Sequence, residues 1–197
     1  MDIETLRKEL KNIFKGKTFD GINTDFDKYL IKNGVGFFPY GSGLLTTKKE
    51  IPKGSFLFLG SDFGSTNSIL KAIEKGEAKN PTYRNLNEII DDEHKERVFL
   101  SNVYMGLRDK VKSTIEEVTI YNNEEYQQLS KTFLEFQINH IKPLKIITLG
   151  VKPEKFIREN LEYIETLNIP HPYSWFNIKN NKTFRSKDDI KGKIFNN

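Results

Sequence analysis

The sequence predicts an α/β fold built on a parallel sheet, and three observations predict it. Short apolar runs over 55–59, 98–101 and 144–149 each stop at a polar or glycine-containing loop, with helical periodicities between them. Such an alternation of strand, loop, helix and strand implies parallel pairing through right-handed crossovers. At 197 residues, 37% hydrophobic and 12% aromatic, the chain is expected to be one domain, large enough for a sheet with helices on both faces.

Taken in order, Asp2 can cap a first helix whose apolar positions Ile3, Leu6, Leu10, Ile13 and Phe14 repeat at helical spacing and which Gly16 ends. Lys15-Gly16-Lys17-Thr18 invites a phosphate-loop reading and fails it, because that loop needs a preceding strand and a glycine where Lys11 stands. A shorter helix is expected from Thr24 or Asp25 through Tyr29 and Leu30, closed by Gly34. Gly36-Phe37-Phe38-Pro39-Tyr40-Gly41-Ser42-Gly43 is too aromatic for a spacer. It reads either as a packed lid or as one wall of a base-sized pocket. Leu44 to Thr46 reads as a short strand before the turn at Ile51-Pro52.

The turn Pro52-Lys53-Gly54 introduces the first buried strand, which ends at Gly60-Ser61-Asp62-Phe63-Gly64. Ile69, Leu70 and Ile73 give a helix ending near Gly76, and 77–87 reads as polar and irregular. Asp91, Asp92, Glu93 and His94 form a short acidic helix whose histidine is read as solvated rather than metal-bound. The run over 98–101 leads into the loop Asn102 to Arg108. A long helix from Asn122 carries Tyr126, Leu129, Phe133, Phe136 and His140 at three-and-four spacing, with His140 at the core or its boundary. Leu144 to Leu149 is the strongest strand. Pro153 then opens a helix buried through Phe156, Ile157, Leu161 and Ile164. A last strand near Leu167 to Ile169 runs into Pro170-His171-Pro172, where the flanking prolines hold the histidine extended in a stiff loop.

Composition removes several classes of chemistry. Without cysteine there is no disulfide, thiolate metal site, cysteine-ligated iron–sulfur cluster or cysteine nucleophile. The amino terminus lacks the basic-then-apolar order of a signal peptide, and no apolar run approaches the ~18 residues of a membrane span, so a cytoplasmic protein with no membrane partner is expected. From Asn177 onward, six lysines and arginines against two aspartates equal the whole net charge of +4. A neutral body with a basic carboxyl-terminal segment, about 177–197, suits contact with a polyanion, and equally a solvated tail.

Asp62, Asn102 and His171 each follow an apolar strand at its carboxyl end, so in a parallel sheet the three can converge on one cleft. A carboxylate, an amide and an imidazole suit hydrolysis of an N-glycosidic bond. Asp62 would stabilise the oxocarbenium sugar and orient a water, Asn102 would read a pyrimidine edge, and His171 would donate to the base oxygen as the leaving group gains charge.

The ordered motifs Gly60-Ser61-Asp62-Phe63-Gly64, Leu100-Ser101-Asn102-Val103, Leu149-Gly150 and His171-Pro172-Tyr173-Ser174 resemble those of the uracil-DNA glycosylase superfamily over roughly 55–175. The resemblance implies a three-layer α/β/α fold with a central four-stranded parallel sheet, an amino-terminal helical extension over about 1–50, and excision of uracil or a related damaged base after the nucleotide is flipped out. It implies a DNA repair enzyme of base excision, acting as a monomer on DNA without metal or organic cofactor. The implied catalytic residues are Asp62 and His171, the base-binding ones Gly60, Ser61, Phe63, Gly64 and Asn102, and the DNA-binding ones Pro172, Tyr173, Ser174 and Trp175. Tyr173 or Trp175 could fill the vacated stack, while Trp175 could instead anchor the loop to the core.

The chain also departs from the family's pattern. Phe63 and Gly64 replace the proline and the methyl-rejecting tyrosine of the best-known branch, which predicts looser discrimination between uracil and thymine. Tyr173 stands where serine is usual, which removes that side chain's phosphate contact. Two alternatives stay open. One is a superfamily member that binds nucleic acid or nucleotides with altered chemistry. The other is an unrelated α/β domain whose Gly60 to Thr66 loop holds a phosphate, with Asp62 as a helix cap.

Overall fold

The computed structural model describes residues 1–31, 36–74, 81–109, 121–161, 164–175, 183–184 and 186–196. It is an α/β structure around a four-stranded, all-parallel sheet. Among the described residues, the α-helices are α1 (Ile3–Ile13), α2 (Thr66–Glu74), α3 (Pro81–Ile89), α4 (Asp92–Lys95), α5 (Glu124–Ile141), α6 (Val151–Asn160) and α7 (Lys187–Phe195). The central strands are β2 (Phe56–Gly60), β3 (Val98–Asn102), β5 (Lys145–Leu149) and β6 (Leu167–Ile169), in the order β3-β2-β5-β6. A separate antiparallel pair joins β1 (Ile22–Asn23) to β4 (Leu107–Arg108).

Alternation along each strand divides the core between the two faces of the sheet. Leu57, Leu59, Phe99 and Ile146 pack with buried residues of α1, α5 and α6. Phe56, Phe58, Val98, Leu100, Ile147, Leu149 and Ile169 pack with Leu86 and Ile89 of α3 and Ile190 and Ile194 of α7. Helices thus cover both faces, an arrangement compatible with the three-layer expectation. Because β2 connects to β3 on one side and the chain returns to β5 on the other, the topological switch lies between β2 and β5. Ligands of open α/β sheets bind outside the carboxyl ends of the strands at such a point.

The expected α1 is present, with Asp2 Oδ1 accepting the Thr5 N–H at 2.6 Å. Other expectations are corrected. No helix forms over 24–30: the Asn23 and Asp25 side chains take the Asp25 and Lys28 N–H groups at 2.9 and 3.1 Å, so the segment turns instead. Leu44 to Thr46 is not a strand, since Ser42 Oγ accepts the Leu44 N–H at 3.1 Å and bends the chain. The stretch read as irregular contains α3, begun at Pro81, where the first helical position suits proline. Gly34, Gly76, residues 77–80, Lys179, Lys182 and Arg185 lie outside the described residues.

The carboxyl-terminal segment is corrected most. Ser186 caps α7 by accepting the Asp189 N–H at 3.1 Å, and Ile190 and Ile194, one turn apart, are fully buried against the sheet and α3. Lys145 Nζ donates to the Lys193 and Ile194 carbonyls at 3.2 and 2.9 Å, satisfying the helix end. Lys187 pairs with Glu88, and Lys191 with Asp91 at 2.6 Å. Two of the basic residues expected to meet a polyanion are therefore engaged with the body of the protein.

Candidate functional site

Asp62, Asn102 and His171 all emerge at the carboxyl edge of the sheet. Gly60 pairs with Asn102, Leu59 with Thr148 and Leu149 with Ile169, so the strand ends are level. Beyond β2 and β3 the two loops continue side by side, with Val103 N donating to Gly60 O and Tyr104 N to Ser61 O, each at 2.9 Å. Asp62 stands at the switch point itself.

The Asp62 loop closes on its own carboxylate: Gly64 N donates to Oδ1 at 2.7 Å, an Asx turn in which Gly64 takes a φ of +104°. Ser65, not Asp62, caps α2, its Oγ accepting from Ser68 N at 3.3 Å. A helix-capping role for Asp62 therefore has no support. Two further groups reach the carboxylate from distant sequence. Arg108 Nε donates to Oδ1 at 3.3 Å, and the Tyr121 hydroxyl donates to Oδ2. The Asp62 side chain is only 12% exposed and that of Arg108 23%. Burial, then the Asp62 carboxylate, holds the Tyr121 phenol far above its usual range, so it stays a neutral donor.

Neither Arg108 nor Tyr121 stands out as a site residue in the sequence. Arg108 is delivered by β4: it pairs with Ile22 of β1, and its N–H donates to Gly64 O at 2.9 Å. The only sequence signal is a basic residue closing the loop that begins at Asn102. Tyr121 lies 4.6 Å from the Tyr104 ring, with Lys152 Nζ 5.2 Å from its centroid on α6. Burial, Glu159 and Asp62 together push the Tyr104 phenol up to about 12.

Asn102 sits lower, and its side chain is enclosed. Only 1% exposed, it donates through Nδ2 to the Phe38 carbonyl at 3.1 Å. Its Oδ1 lies 2.5 Å from where a Cβ on Gly60 would stand, with Phe37 3.5 Å from that point. Glycine at position 60 is thus what admits the amide. The aromatic loop behaves mainly as the packed lid: Phe38 and Tyr40 are fully buried, while Phe37 borders Gly60 at the edge of the cleft. Phe63 packs edge-to-face on Tyr40 with centroids 5.0 Å apart and remains partly exposed. The Ser61 hydroxyl is buried without a hydrogen-bond partner among the described residues.

His171 lies against Gly150, the residue between β5 and α6; a Cβ on Gly150 would come within 3.2 Å of its own Cβ. Tyr173 N donates to His171 Nδ1 at 3.2 Å, so the neutral ring carries its proton on Nε2, free to donate. Although the residue is exposed at the rim, the surrounding protein desolvates the ring and lowers its pKa. The Asp62 carboxylate pulls the other way, by the smaller amount.

The loop after His171 corrects one expectation. Trp175 is buried, 3% exposed, and donates its indole N–H to the Pro170 carbonyl at 2.9 Å, so it anchors the loop and is unavailable to stack on DNA. Pro172 is buried too, its carbonyl accepting from Asn85 at 2.7 Å. Ser174 is exposed but directs its hydroxyl at His171 O, 2.8 Å away. Tyr173, 63% exposed, is the large side chain this loop presents to solvent.

The other two histidines are packing residues. His94, read as solvated, lies 4.1 Å from the Phe195 ring and near Phe56, because α7 covers it. It brings ligand atoms within 4.8 Å of Asp91 and Glu93, but Asp91 is engaged with Lys191. His140, expected at the core or its boundary, is exposed on α5, bonded to Phe136 O at 2.9 Å with its ring over Phe136. Among the described residues, no helix is long and apolar enough to cross a membrane. No protein-family model matches the sequence, and no curated protein matches it.

Proposed function

We infer that the chain is a DNA glycosylase that hydrolyses the N-glycosidic bond of uracil, or of a related damaged base, in a flipped-out nucleotide. What supports this reading is a fixed carboxylate, Asp62, and a neutral imidazole whose Nε2–H has no partner among the described residues, His171, both carried by loops at the carboxyl edge of one sheet. As the C1′–N bond breaks, its electron pair goes to the base, and the Nε2–H donates to the base oxygen that takes up the charge. Asp62 stabilises the sugar cation and orients the water whose oxygen bonds C1′, the water's proton passing to the carboxylate. The partly exposed Phe63 is the aromatic ring nearest to hand for the base, with the buried Ser61 hydroxyl, which has no hydrogen-bond partner among the described residues, beside it in the same loop. Tyr173 is the candidate for the vacated stack, where an aromatic contact is worth about 1–3 kcal/mol. This reading takes the protein as a cytoplasmic monomer that needs no metal or organic cofactor.

The test is a set of labelled oligonucleotides carrying uracil or mispaired thymine, incubated with wild type, Asp62→Asn and His171→Ala and then cleaved by alkali. Wild type is expected to produce abasic sites and each variant to lose about 100-fold or more in rate. With no side chain at Gly64, thymine is expected to be released as well as uracil. Absence of abasic sites in every uracil context, single- or double-stranded, overturns the reading.

A second reading, a nucleic-acid- or nucleotide-binding module with altered chemistry, draws on how occupied the site is. Three donors already reach Asp62, and the Asn102 amide is spent on Phe38 O. Binding of labelled DNA that weakens steeply with salt, without base release, would select it.

A further inference from the structure

We propose that Arg108 and Tyr121 are positioning residues, a two-sided clamp that fixes the Asp62 carboxylate in its working orientation. For the chemical step, the proposal rests on the glycosylase reading above. The two jaws come from unrelated parts of the chain. Arg108 is set by the β1–β4 ladder, whose close approach depends on Gly106: a Cβ there would stand 2.9 Å from Ile22 Cγ2 and 3.0 Å from Asn23 O. Tyr121 is set by its ring contact with Tyr104, by Lys152 near its face, and by the Gln127 amide donating to its carbonyl.

The clamp divides the carboxylate's work. Oδ1 takes the Gly64 N–H and the Arg108 Nε–H, and Oδ2 takes the Tyr121 hydroxyl. A carboxylate oxygen offers two lone pairs, so Oδ2 keeps one for a water. With a donor on each oxygen, rotation of the carboxylate about its Cβ–Cγ bond is opposed from both sides. Such pre-set geometry matters because a displacement of about 1 Å can cost a reaction about 100-fold. Among the described residues, the titratable or charged groups around the carboxylate are Arg108 from β4, Tyr104 from the loop after β3, Tyr121 ahead of α5, Tyr126 within it, Glu159 and Lys152 of α6, and His171 after β6.

Tyr121→Phe is the test, because it keeps the ring and removes only the hydroxyl, with no change of charge. Two readouts are taken on the full chain: kcat and KM on uracil-containing DNA, and the NMR titration of the His171 ring in the free protein. The expected result is a fall in kcat of about 10- to 100-fold with KM within about twofold, together with a displaced His171 titration, since His171 senses the Asp62 carboxylate. Arg108→Gln should also lower kcat, and Arg108→Lys should restore part of it. An unchanged His171 titration in Tyr121→Phe overturns the clamp, whatever happens to activity. If wild type releases no base, the glycosylase reading fails, and the same titration still decides whether the carboxylate is held as described.

Discussion

The loops that carry Asp62 and His171 leave the same edge of one sheet but are held in place in opposite ways. The Asp62 carboxylate takes one local bond, from Gly64, and two from distant residues, Arg108, 46 residues on, and Tyr121, 59 residues on, while the loop backbone is bonded to that of Tyr104 and Arg108. The His171 loop is largely self-supporting: prolines flank the ring, Tyr173 N fixes its tautomer, Ser174 bonds its carbonyl, and Trp175 reaches back to Pro170. Among the described residues, Asn85 of α3 ties it to a distant element, its amide donating to the Pro172 carbonyl at 2.7 Å. His171 is thus held mostly by bonds within its own loop, whereas the Asp62 carboxylate is held mostly by residues that only the assembled fold brings to it. Substitutions should therefore damage the two halves by different routes.

The largest expected effect comes from removing the anchor of the self-supporting loop. Trp175→Ala deletes a buried aromatic from the cluster that joins α3, α7 and the sheet, and leaves the Pro170 carbonyl without its donor. The expected loss is about 3–5 kcal/mol of stability, read from the denaturant midpoint. Trp175→Phe, which retains most of the packing but not the N–H, should cost less. A Trp175→Ala protein as stable as wild type would mean that the loop does not depend on its anchor.

On the other side, Gly60→Ala tests whether strand pairing and the Asn102 amide compete for one space. Its Cβ would stand 2.5 Å from Asn102 Oδ1, so the amide must move and its bond to Phe38 O must lengthen or break. A cost of about 1–3 kcal/mol is expected. Adding Asn102→Ala should make the two effects non-additive by about 0.5–3 kcal/mol, because the second change removes the clash. Strict additivity in this cycle would sink the steric account.

The same contrast explains what the sequence could reveal. β2, β3 and β5 were legible because strands buried on both faces are continuous apolar runs, β6 because the alternation of helix and strand calls for one after α6, and α1, α5 and α6 because one apolar stripe suffices. His171 was legible because Pro170 and Pro172 act on their immediate neighbours. Arg108 and Tyr121 were not, since their roles follow from tertiary proximity and neither has a local pattern that points to Asp62. α3 and α7 were missed together. Leu86 and Ile89 on one and Ile190 and Ile194 on the other make sense as apolar positions mainly as each other's partners, and a segment rich in lysine reads equally as a polyanion contact or a solvated tail. The occupant of the Trp175 site was decided by packing, which sequence alone left open.

The smallest effect links the two loops directly. Protonating His171 is harder in the folded protein than in the unfolded chain, because desolvation lowers its pKa below the ordinary value near 6.5. As pH falls through about 6.5, the unfolded chain takes up the proton first, so stability declines until the folded-state pKa is passed and then levels off. The contribution is fully present above that window and absent below it. His171→Gln should flatten this part of the stability–pH curve, so that the difference between the two proteins falls with acidification only inside the window. Asp62 opposes the shift, and Asp62→Asn should therefore lower the His171 titration further and widen the window downward. An NMR titration of the His171 ring that ignores the substitution at position 62 would separate the two halves of the site and leave the proposed chemistry without its pairing.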